Sequence, residues 1–200
     1  ECREEVSLRY ISQSADFGEP DLVILPGTKS TIADLLWMRQ NGLEGKILRH
    51  ASAGGLVFGI CGGYQMLGAE VHDPDGVEAG AGKCVRGMEL LPARTVFEPE
   101  KHRTQITGHF GIVQGAFAEL TDVPFAGYEI HMGKTECMGE TEPLLHLDSG
   151  TADGMQHGNV YGCYIHGIFD QAEVVTAVLK TILKRKGLDA DQVKNIDRKQ

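Results

Sequence analysis

The sequence predicts an α/β protein with an open, mostly parallel sheet, helices on both faces and additional antiparallel strands. Apolar strand-like runs alternate with helical patterns through the first third of the chain. One such run leads straight into the turn around Cys61, and another, Asn159–Ile165, leads into His166. Helix and strand periods that alternate over this length are typical of a parallel sheet covered by helices.

The first part of the chain contains two predicted strands and two predicted helices before the strand that precedes Cys61. They are Val6–Ile11, Asp21–Leu25, Thr31–Gln40 and a segment near Glu44–Ala53. Thr31 and Asp34 have the spacing of a capping box for the first helix, and Gly42 is placed to end it.

The pattern changes after about Val71. Glycine- and proline-rich segments with shorter apolar runs predict further strands of the sheet and loops that cover the site. The segment Gly76–Lys83 resembles a phosphate-binding loop, but Val77 stands where glycine is required and Cys84 replaces the hydroxyl that binds magnesium. We interpret it as a loop only. A last helix is predicted over Ala172–Lys186.

The buried face of that last helix follows from its apolar spacing. The predicted face consists of Val175, Val178, Leu179 and Ile182. Residues 187–200 are interpreted as a C-terminal tail.

Cys61 lies in a pattern that predicts a nucleophile elbow, the tight strand-to-helix turn that presents a catalytic side chain. Gly59 and Gly63 supply the small side chains that such a strained turn needs. We also expect the thiolate to be favoured there, because the turn places the sulfur at a helix N-terminus. The alternative is an inert core cysteine, which would not need glycine on both sides.

A cysteine nucleophile needs a base, and the strongest candidate among the eight histidines is His166. Like Cys61, it follows a strand-like run. Reacting groups in open α/β sheets gather beyond the carboxyl ends of parallel strands, so we expect the two residues to meet at one edge of the sheet. A histidine with a purely structural role is the alternative.

Composition excludes several classes of protein. The net charge is -9 and no basic stripe is present, which argues against nucleic acid as a partner. No apolar stretch predicts a membrane span or a secretory leader. Five cysteines without paired spacing indicate reduced thiols, no metal site and a cytoplasmic location. A length of 200 residues with 42% hydrophobic content suits a single domain.

Four blocks of the chain resemble a known family. They are Asp21–Leu35, Gly59–Gly68, Gly127–Glu136 and Tyr164–Asp170, which read DLVILPGTKSTIADL, GICGGYQMLG, GYEIHMGKTE and YIHGIFD. In this order and spacing they are similar to the class I, or triad, glutamine amidotransferases, which have a flavodoxin-like sheet. The first and third blocks point more narrowly to the C-terminal amidotransferase domain of cobyric acid synthases.

The resemblance implies that glutamine is hydrolysed through a glutamyl thioester on Cys61, with His166 as general base and acid. It also implies an oxyanion hole made by the backbone N–H groups of Gly27 and Gly62. Gln65 and His131 are expected to contact the substrate. Read without the family, Gln65 is a first-turn helix residue.

The block around His131 also has an interpretation that needs no family. It predicts a short strand with a buried face of Tyr128, Ile130 and Met132. On that interpretation, its hydrophobic residues serve packing alone.

The chain departs from the wider superfamily at Ile168, where many members carry a glutamate that orients the catalytic histidine. The cobyric acid synthase branch is similar in lacking it. Glu129 and Asp170 are the candidates for the orienting group, and a partner domain is a further possibility.

Family members carry one more strand before Val6, preceded by a large ATP-dependent synthase domain. The resemblance therefore implies that residues 1–200 are a single amidotransferase domain of a longer protein. This domain would need no cofactor. ATP, Mg²⁺ and the corrinoid substrate, cobyrinic acid a,c-diamide, would bind to the synthase domain, which would use ammonia released at Cys61 to amidate side-chain carboxylates.

Three alternatives stay open at this point. The chain could belong to a related amidotransferase, either an a,c-diamide synthase or a peptidoglycan-amidating enzyme. It could be a DJ-1-like redox or sensor domain, whose cysteine should oxidise readily. A catalytically silent interaction domain is the third, and it is disfavoured because Cys61 and His166 are both present.

Overall fold

A computed structural model describes residues 6–190 and Val193, apart from the side chains of residues 101 and 102. The described part contains four α-helices and ten strands. The helices are α1 (Thr31–Gln40), α2 (Leu43–Ser52), α3 (Gly62–Leu67) and α4 (Ala172–Arg185). The strands are β1 (Leu22–Leu25), β2 (Leu56–Ile60), β3 (Glu70–Asp73), β4 (Lys83–Arg86), β5 (Ala93–Phe110), β6 (Pro124–Cys137), β7 (Pro143–Leu147), β8 (Ala152–His157), β9 (Val160–Cys163) and β10 (Ile165–His166). Three short 3-10 helices cover Ser14–Asp16, Gly115–Leu120 and Ile168–Asp170.

All these strands belong to one mixed sheet. β2 lies between β1 and β9 and is parallel to both, and β3 is parallel to β5. The other pairings described are antiparallel, and they extend the sheet from β9 through β8 and β7 to β5. The predicted α/β class is confirmed, and the antiparallel additions occupy more of the sheet than the sequence pattern indicated.

Helices cover both faces of the sheet, as predicted. Neighbouring residues of β2 point to opposite sides: Val57 packs in one core with α1, α2 and α3, whereas Phe58 packs in a second core with α4. Both side chains are fully buried. Burial of each such side chain contributes about 1.5–3 kcal/mol to stability, so the parallel strands that carry the site are held from both sides.

The predicted strand at Val6–Ile11 does not form. This segment has no regular secondary structure, and Leu8 and Tyr10 are 56% and 92% exposed. Arg9 turns back and donates hydrogen bonds to the carbonyls of Asp16 and Phe17. An apolar run becomes a strand only when a neighbour pairs with its backbone, and β1 stands unpaired on this side in the described strand order.

The prediction of the first helix is correct in extent and wrong in detail. α1 spans Thr31–Gln40 as predicted, but Thr31 and Asp34 form no capping box. The Thr31 hydroxyl instead donates to the side chain of Gln65, at 3.0 Å. Asp34 accepts a hydrogen bond from Thr28. The first residue of α1 therefore forms a hydrogen bond with a residue of the site, and not with another residue of its own helix.

The last helix begins at Ala172 as predicted and ends one residue early, at Arg185. Of its predicted buried face only Val178 is fully buried. Val175, Leu179 and Ile182 are half-buried, and Val174 and Ala177 take the central positions. The face is rotated because α4 packs on the 3-10 helix Gly115–Leu120 as well as on the sheet.

β5 and β6 form a long antiparallel ribbon with an irregularity between Val96 and Lys101. The predicted buried face of the segment within β6 is wrong, because Tyr128 is 48% exposed and Ile130 and Met132 are half-buried. Ile130 and Met132 border the cleft described below, and Met132 also packs against the hydrophobic core. None of the helices in the described part of the chain combines the length and apolar character that crossing a bilayer requires.

Candidate active site

Cys61 stands at the turn between β2 and α3, in the strained conformation that the sequence predicts. Its backbone has φ 51° and ψ −111°, a region that non-glycine residues occupy at a cost of about 1–3 kcal/mol. A Cβ atom on Gly63 would lie 2.1 Å from the carbonyl oxygen of Leu25, and one on Gly59 would lie 2.7 Å from the amide of Tyr64. The backbone packs so closely at both positions that only glycine fits. This packing holds the turn at Cys61 in place.

His166 lies beside this elbow, as the parallel-strand argument predicts. Ile60, the last residue of β2, pairs with Cys163, the last residue of β9, and the amide of Cys61 donates to the Cys163 carbonyl at 2.9 Å. Three residues further on, His166 pairs with Tyr128 in β6. The two chain segments that carry the thiol and the imidazole therefore leave the sheet side by side.

Gly27 brings the two side chains into one site. The position of a Cβ atom on Gly27 lies 3.4 Å from Cβ of Cys61 and 2.6 Å from Cε1 of His166. Any larger residue would collide with the imidazole. Gly27 follows β1, so the ends of three neighbouring strands converge here.

A cleft of about 550 Å³ opens onto these residues. Its lining comes from the segments after β1 and β2, from β5, β6 and β10, and from the loop between β3 and β4. The lining residues are Gly27, Thr28, Lys29, Thr31, Cys61, Gln65, Val77, Glu78, Phe97, Ile130, His131, Met132 and His166. The lining therefore includes the predicted nucleophile, base and substrate contacts and one of the two predicted oxyanion-hole residues. Gly62, which is next to Cys61, and the orienting candidates Glu129 and Asp170 are not among the lining residues.

The expectation of a thiolate at Cys61 is wrong for the protein without substrate. Burial raises the pKa of the thiol to about 11, and the negative charges of Glu78, Asp153 and Glu129 add to the effect. The Gly62 amide donates to the sulfur and lowers the pKa, but by less than burial raises it. α3 is only six residues long, and a short helix provides little field. The thiol also donates to the Ile130 carbonyl at 3.6 Å.

His166 is held by packing. Its ring lies nearly parallel to that of Tyr128, with centroids 5.1 Å apart and an interplanar angle of 9°. The Nε2 atom is buried and has no hydrogen-bond partner among the described residues. Burial lowers the pKa of His166, and the positive charge of His131 lowers it further. The imidazole is therefore neutral at neutral pH and able to accept a proton.

The prediction that Glu129 or Asp170 orients His166 stays a prediction. Glu129 pairs with His131, with Oε1 at 2.6 Å from Nε2. Asp170 is exposed and its Oδ2 atom lies 3.4 Å from the Cβ position of Gly167.

Gly62 packs against the segment that follows Gly27. A Cβ atom on Gly62 would lie 2.6 Å from Cγ2 of Thr28 and 3.1 Å from its amide nitrogen. The segments after β1 and β2 therefore pack as closely as glycine allows. This placement is compatible with the oxyanion hole that the family resemblance implies, and that role stays a prediction.

Gln65 is 2% exposed and belongs to a closed hydrogen-bond network. Its Oε1 atom accepts from the Thr31 hydroxyl, and its Nε2 atom donates to the Met132 carbonyl and to the Tyr164 hydroxyl, both at 3.2 Å. These contacts tie α1, α3 and β6 together under the cleft. The position supports a pocket-building role as well as the predicted substrate contact.

His131 also lines the cleft and is fixed on both sides. Nδ1 lies 2.9 Å from the Gly133 carbonyl, and Nε2 faces the Glu129 carboxylate. The ring stacks on Tyr164 with centroids 3.6 Å apart.

Sequence analysis missed Glu78, which comes from the loop between β3 and β4. Its carboxylate accepts a hydrogen bond from the Ile32 amide at 3.2 Å and shares the single proton of the Thr31 hydroxyl with Gln65, at 3.3 Å from Glu78 and 3.0 Å from Gln65. Asp73 fixes the loop by accepting hydrogen bonds from the amides of Val77, Glu78 and Ala79 at 2.6–2.9 Å. The one sequence feature that could have indicated this role is that Glu78 is an acidic residue within Gly76–Lys83, the segment that sequence analysis interprets only as a loop.

The prediction that no metal binds here stays a prediction. One group of potential ligands occurs on β3 and β4, where donor atoms of Glu70, His72 and Cys84 lie within 4.8 Å of one another. None of the three lines the cleft.

Comparison with known proteins identifies the family. Residues 1–174 match the family described as the CobB/CobQ-like glutamine amidotransferase domain. The chain belongs to this family. It is 47% identical over 196 residues to a cobyric acid synthase of Ruminiclostridium cellulolyticum and 45% identical over 190 residues to that of Clostridium acetobutylicum. The matches cover 94% and 93% of this chain, but only 38% and 37% of those relatives.

Solved structures agree on the fold. PurLQS from Thermotoga maritima aligns with a TM-score of 0.63 at 17% identity, over 89% of this chain and 85% of that one. A protein described as a glutamine amidotransferase aligns with a TM-score of 0.60 at 16% identity, over 92% and 88% of the two chains. The amidotransferase fold expected from the sequence is therefore confirmed.

Proposed function

We propose that this chain is the glutaminase domain of a cobyric acid synthase, in which Cys61 and His166 release ammonia from glutamine. The observation that carries the proposal is the strained turn at Cys61, which meets His166 across the glycine at position 27 in a cleft. Membership of the amidotransferase family and the identities to cobyric acid synthases support it.

The chemistry begins with two neutral groups. With the pKa of Cys61 raised and that of His166 lowered, the sulfur attacks the side-chain amide carbon of glutamine as its proton passes to the imidazole. A carbon–sulfur bond forms, and the carbonyl oxygen becomes an oxyanion that the amides of Gly27 and Gly62 stabilise. Proton transfer from the thiol is thereby coupled to bond formation, so no free thiolate is needed beforehand.

Ammonia leaves when this intermediate collapses. His166 gives its proton to the amide nitrogen, the carbon–nitrogen bond breaks, and a glutamyl thioester remains on Cys61. Water then attacks the thioester while His166 takes one of its protons, and glutamate departs as the proton returns to the sulfur. Two cycles of proton transfer at one imidazole complete the hydrolysis.

The ammonia would serve a second part of a longer protein. The relatives are more than twice as long as the matched region, which supports a synthase domain in the same polypeptide. ATP and Mg²⁺ would belong to that domain, where carboxylates of cobyrinic acid a,c-diamide would be activated and amidated. The glutaminase domain itself would work without a cofactor, and its location would be cytoplasmic.

The sensor alternative has less support. Redox-sensor cysteines have a low pKa and are accessible, whereas Cys61 is 6% exposed and has a raised pKa. The relatives described above are also synthases. A related amidotransferase as the parent protein has no observation in its favour here.

The proposal is tested with Cys61→Ala and His166→Ala in a longer synthase that contains this domain. Each variant should lose glutamine-dependent amidation while amidation with added ammonium salts survives. Loss of the ammonia-dependent reaction as well, in a variant that folds normally by circular dichroism, would contradict the division of roles between the two domains.

A further inference from the structure

The cleft contains one carboxylate and one ammonium group that have no charged partner. Glu78 supplies the only carboxylate among the described lining residues, and Lys29 supplies the only ammonium. Neither takes part in an ion pair within the described part of the chain. Unpaired charges of opposite sign in a cleft are complementary to a ligand that carries both signs.

The Glu78 carboxylate is half-buried, and only neutral groups bind it. The Thr31 hydroxyl and the Ile32 amide donate to it, and the positive end of the α1 dipole lies beside it. The Thr31 amide also donates to it. A carboxylate can accept about four hydrogen bonds, so acceptor capacity is left. Burial raises the pKa of Glu78, and these hydrogen bonds lower it.

The loop that presents Glu78 is built to hold it in place. The three hydrogen bonds to Asp73 fix the backbone on both sides of Glu78, and Asp73 itself is fully buried. Thr31, which contacts Glu78, has its hydroxyl oxygen 3.2 Å from the Cβ position of Gly62. The carboxylate is therefore one side chain away from the turn that carries the nucleophile.

Lys29 lines the cleft from the segment that follows β1, whereas Glu78 lines it from the loop between β3 and β4. Lys29 lies two residues after Gly27 and two before Thr31, in the segment that connects β1 to α1. Its side chain is exposed, and its position places a mobile positive charge at the mouth of the cleft. Such a charge can follow a carboxylate without a rigid geometry.

We propose that Glu78 binds the α-ammonium of glutamine and that Lys29 binds its α-carboxylate, while the side-chain amide is held at Cys61. The inference rests on the proposed glutaminase function and names the groups that select a free amino acid. These two groups would distinguish free glutamine from a glutaminyl residue within a peptide, which has neither the α-ammonium nor the α-carboxylate charge.

Substrate binding would also activate the nucleophile. The negative charge of Glu78 contributes to the raised pKa of Cys61, and an ammonium group bound beside Glu78 offsets that charge. The free amino acid thus promotes loss of the thiol proton as it binds. A substrate without the α-amino group would bind weakly and leave the thiol less reactive.

The test uses the rate at which Cys61 is labelled by three diazoketones. The first is 6-diazo-5-oxo-norleucine, the second lacks its α-amino group, and the third carries an α-carboxamide in place of the carboxylate. Wild-type protein should prefer the first reagent to the second by about 10- to 100-fold, the range expected for a hydrogen bond between charged groups. Its preference over the third should be about 5-fold, because Lys29 is exposed.

Each variant should erase one preference and keep the other. Glu78→Gln keeps an oxygen acceptor for α1 but loses the charge, so the first and second reagents should label it at similar rates. Lys29→Gln should equalise the first and third. Because each comparison is a ratio within one protein, changes in folding or in thiol reactivity cancel.

Matched controls are available outside the cleft. Asp75→Asn changes an exposed carboxylate in the same loop, and Lys83→Gln changes an exposed lysine. Both should keep the wild-type preferences. If Cys61 of the wild type reacts with none of the reagents, the proposed function fails. If it is labelled but Glu78→Gln and Lys29→Gln keep the wild-type ratios, only the assignment of these two residues fails.

Discussion

Tyr128 and His166 stack face to face at the edge of the cleft, with ring centroids 5.1 Å apart and an interplanar angle of 9°. The backbone of Gly27 also lies against the imidazole, because a Cβ atom at this position would be 2.6 Å from Cε1 of His166. Tyr128 and Gly27 therefore both restrict the position of the imidazole, and we expect this packing to help orient it for catalysis.

Removing the stacking ring should therefore reduce catalysis. Tyr128→Ala is expected to lower kcat for glutamine hydrolysis by up to about 100-fold, since small misplacements of a reacting group have effects of that size. KM should change little, because Tyr128 does not line the cleft. Tyr128→Phe keeps the ring and should keep most of the activity. A loss in Tyr128→Phe equal to that in Tyr128→Ala would show that the hydroxyl, rather than the ring, matters.

The reactivity of Cys61 toward a small reagent should depend on pH with a midpoint of about 11. Its pKa is raised to that value mainly by burial, so iodoacetamide should alkylate Cys61 slowly at neutral pH. Glu78→Gln removes a negative charge that disfavours the thiolate, so the midpoint should move to lower pH. Mass mapping of alkylated peptides against pH gives both midpoints, and Asp75→Asn serves as the control. An unchanged midpoint in Glu78→Gln would contradict the electrostatic contribution of Glu78.

The acid limb of glutamine hydrolysis should report His166. Its pKa is lowered from the ordinary value of 6.5 by burial and by the charge of His131. A base with a lowered pKa keeps its unprotonated form at more acidic pH, so kcat/KM should decline with a midpoint below 6.5. The profile of kcat/KM against pH measures this midpoint. A midpoint at or above 6.5 would mean that another group controls the acid limb.

The turn at Cys61 should tolerate no side chain at position 63. In Gly63→Ala the new Cβ atom would lie 2.1 Å from the Leu25 carbonyl oxygen, so α3 must move away from β1. We expect the free energy of unfolding to fall by about 1–3 kcal/mol or more, measured by urea denaturation. Gly139→Ala is a matched control, because nothing lies within 4 Å of its Cβ position. Its stability should stay within about 0.5 kcal/mol of wild type.

Local patterns predicted the parts of the site that are local in sequence. The strained turn at Cys61 follows from glycines on either side of it, and the meeting with His166 follows from two parallel strands that end together. α1 was also predicted with correct ends. In each case a short sequence pattern determines the backbone, and the backbone determines the placement.

The missed features depend on contacts between distant segments. Thr31 satisfies Gln65 and Glu78 rather than its own helix, and no spacing rule indicates that. The pKa of Cys61 is governed by burial among neighbouring segments, which outweighs the helix terminus that the sequence displays. Val6–Ile11 has strand-like composition but no pairing partner in the described residues. In all three cases the structure depends on contacts with residues that are distant in sequence, which a local sequence pattern does not show.

The central claim is that Cys61 acts as the nucleophile of a formed glutamine site. The most direct measurement is labelling of the wild-type protein with 6-diazo-5-oxo-norleucine at neutral pH, followed by peptide mass mapping, with and without glutamine. Selective labelling of Cys61 that glutamine slows is the predicted result, even though the same thiol resists iodoacetamide. Equal labelling of Cys61 and the exposed Cys84 and Cys137, without protection by glutamine, would contradict it.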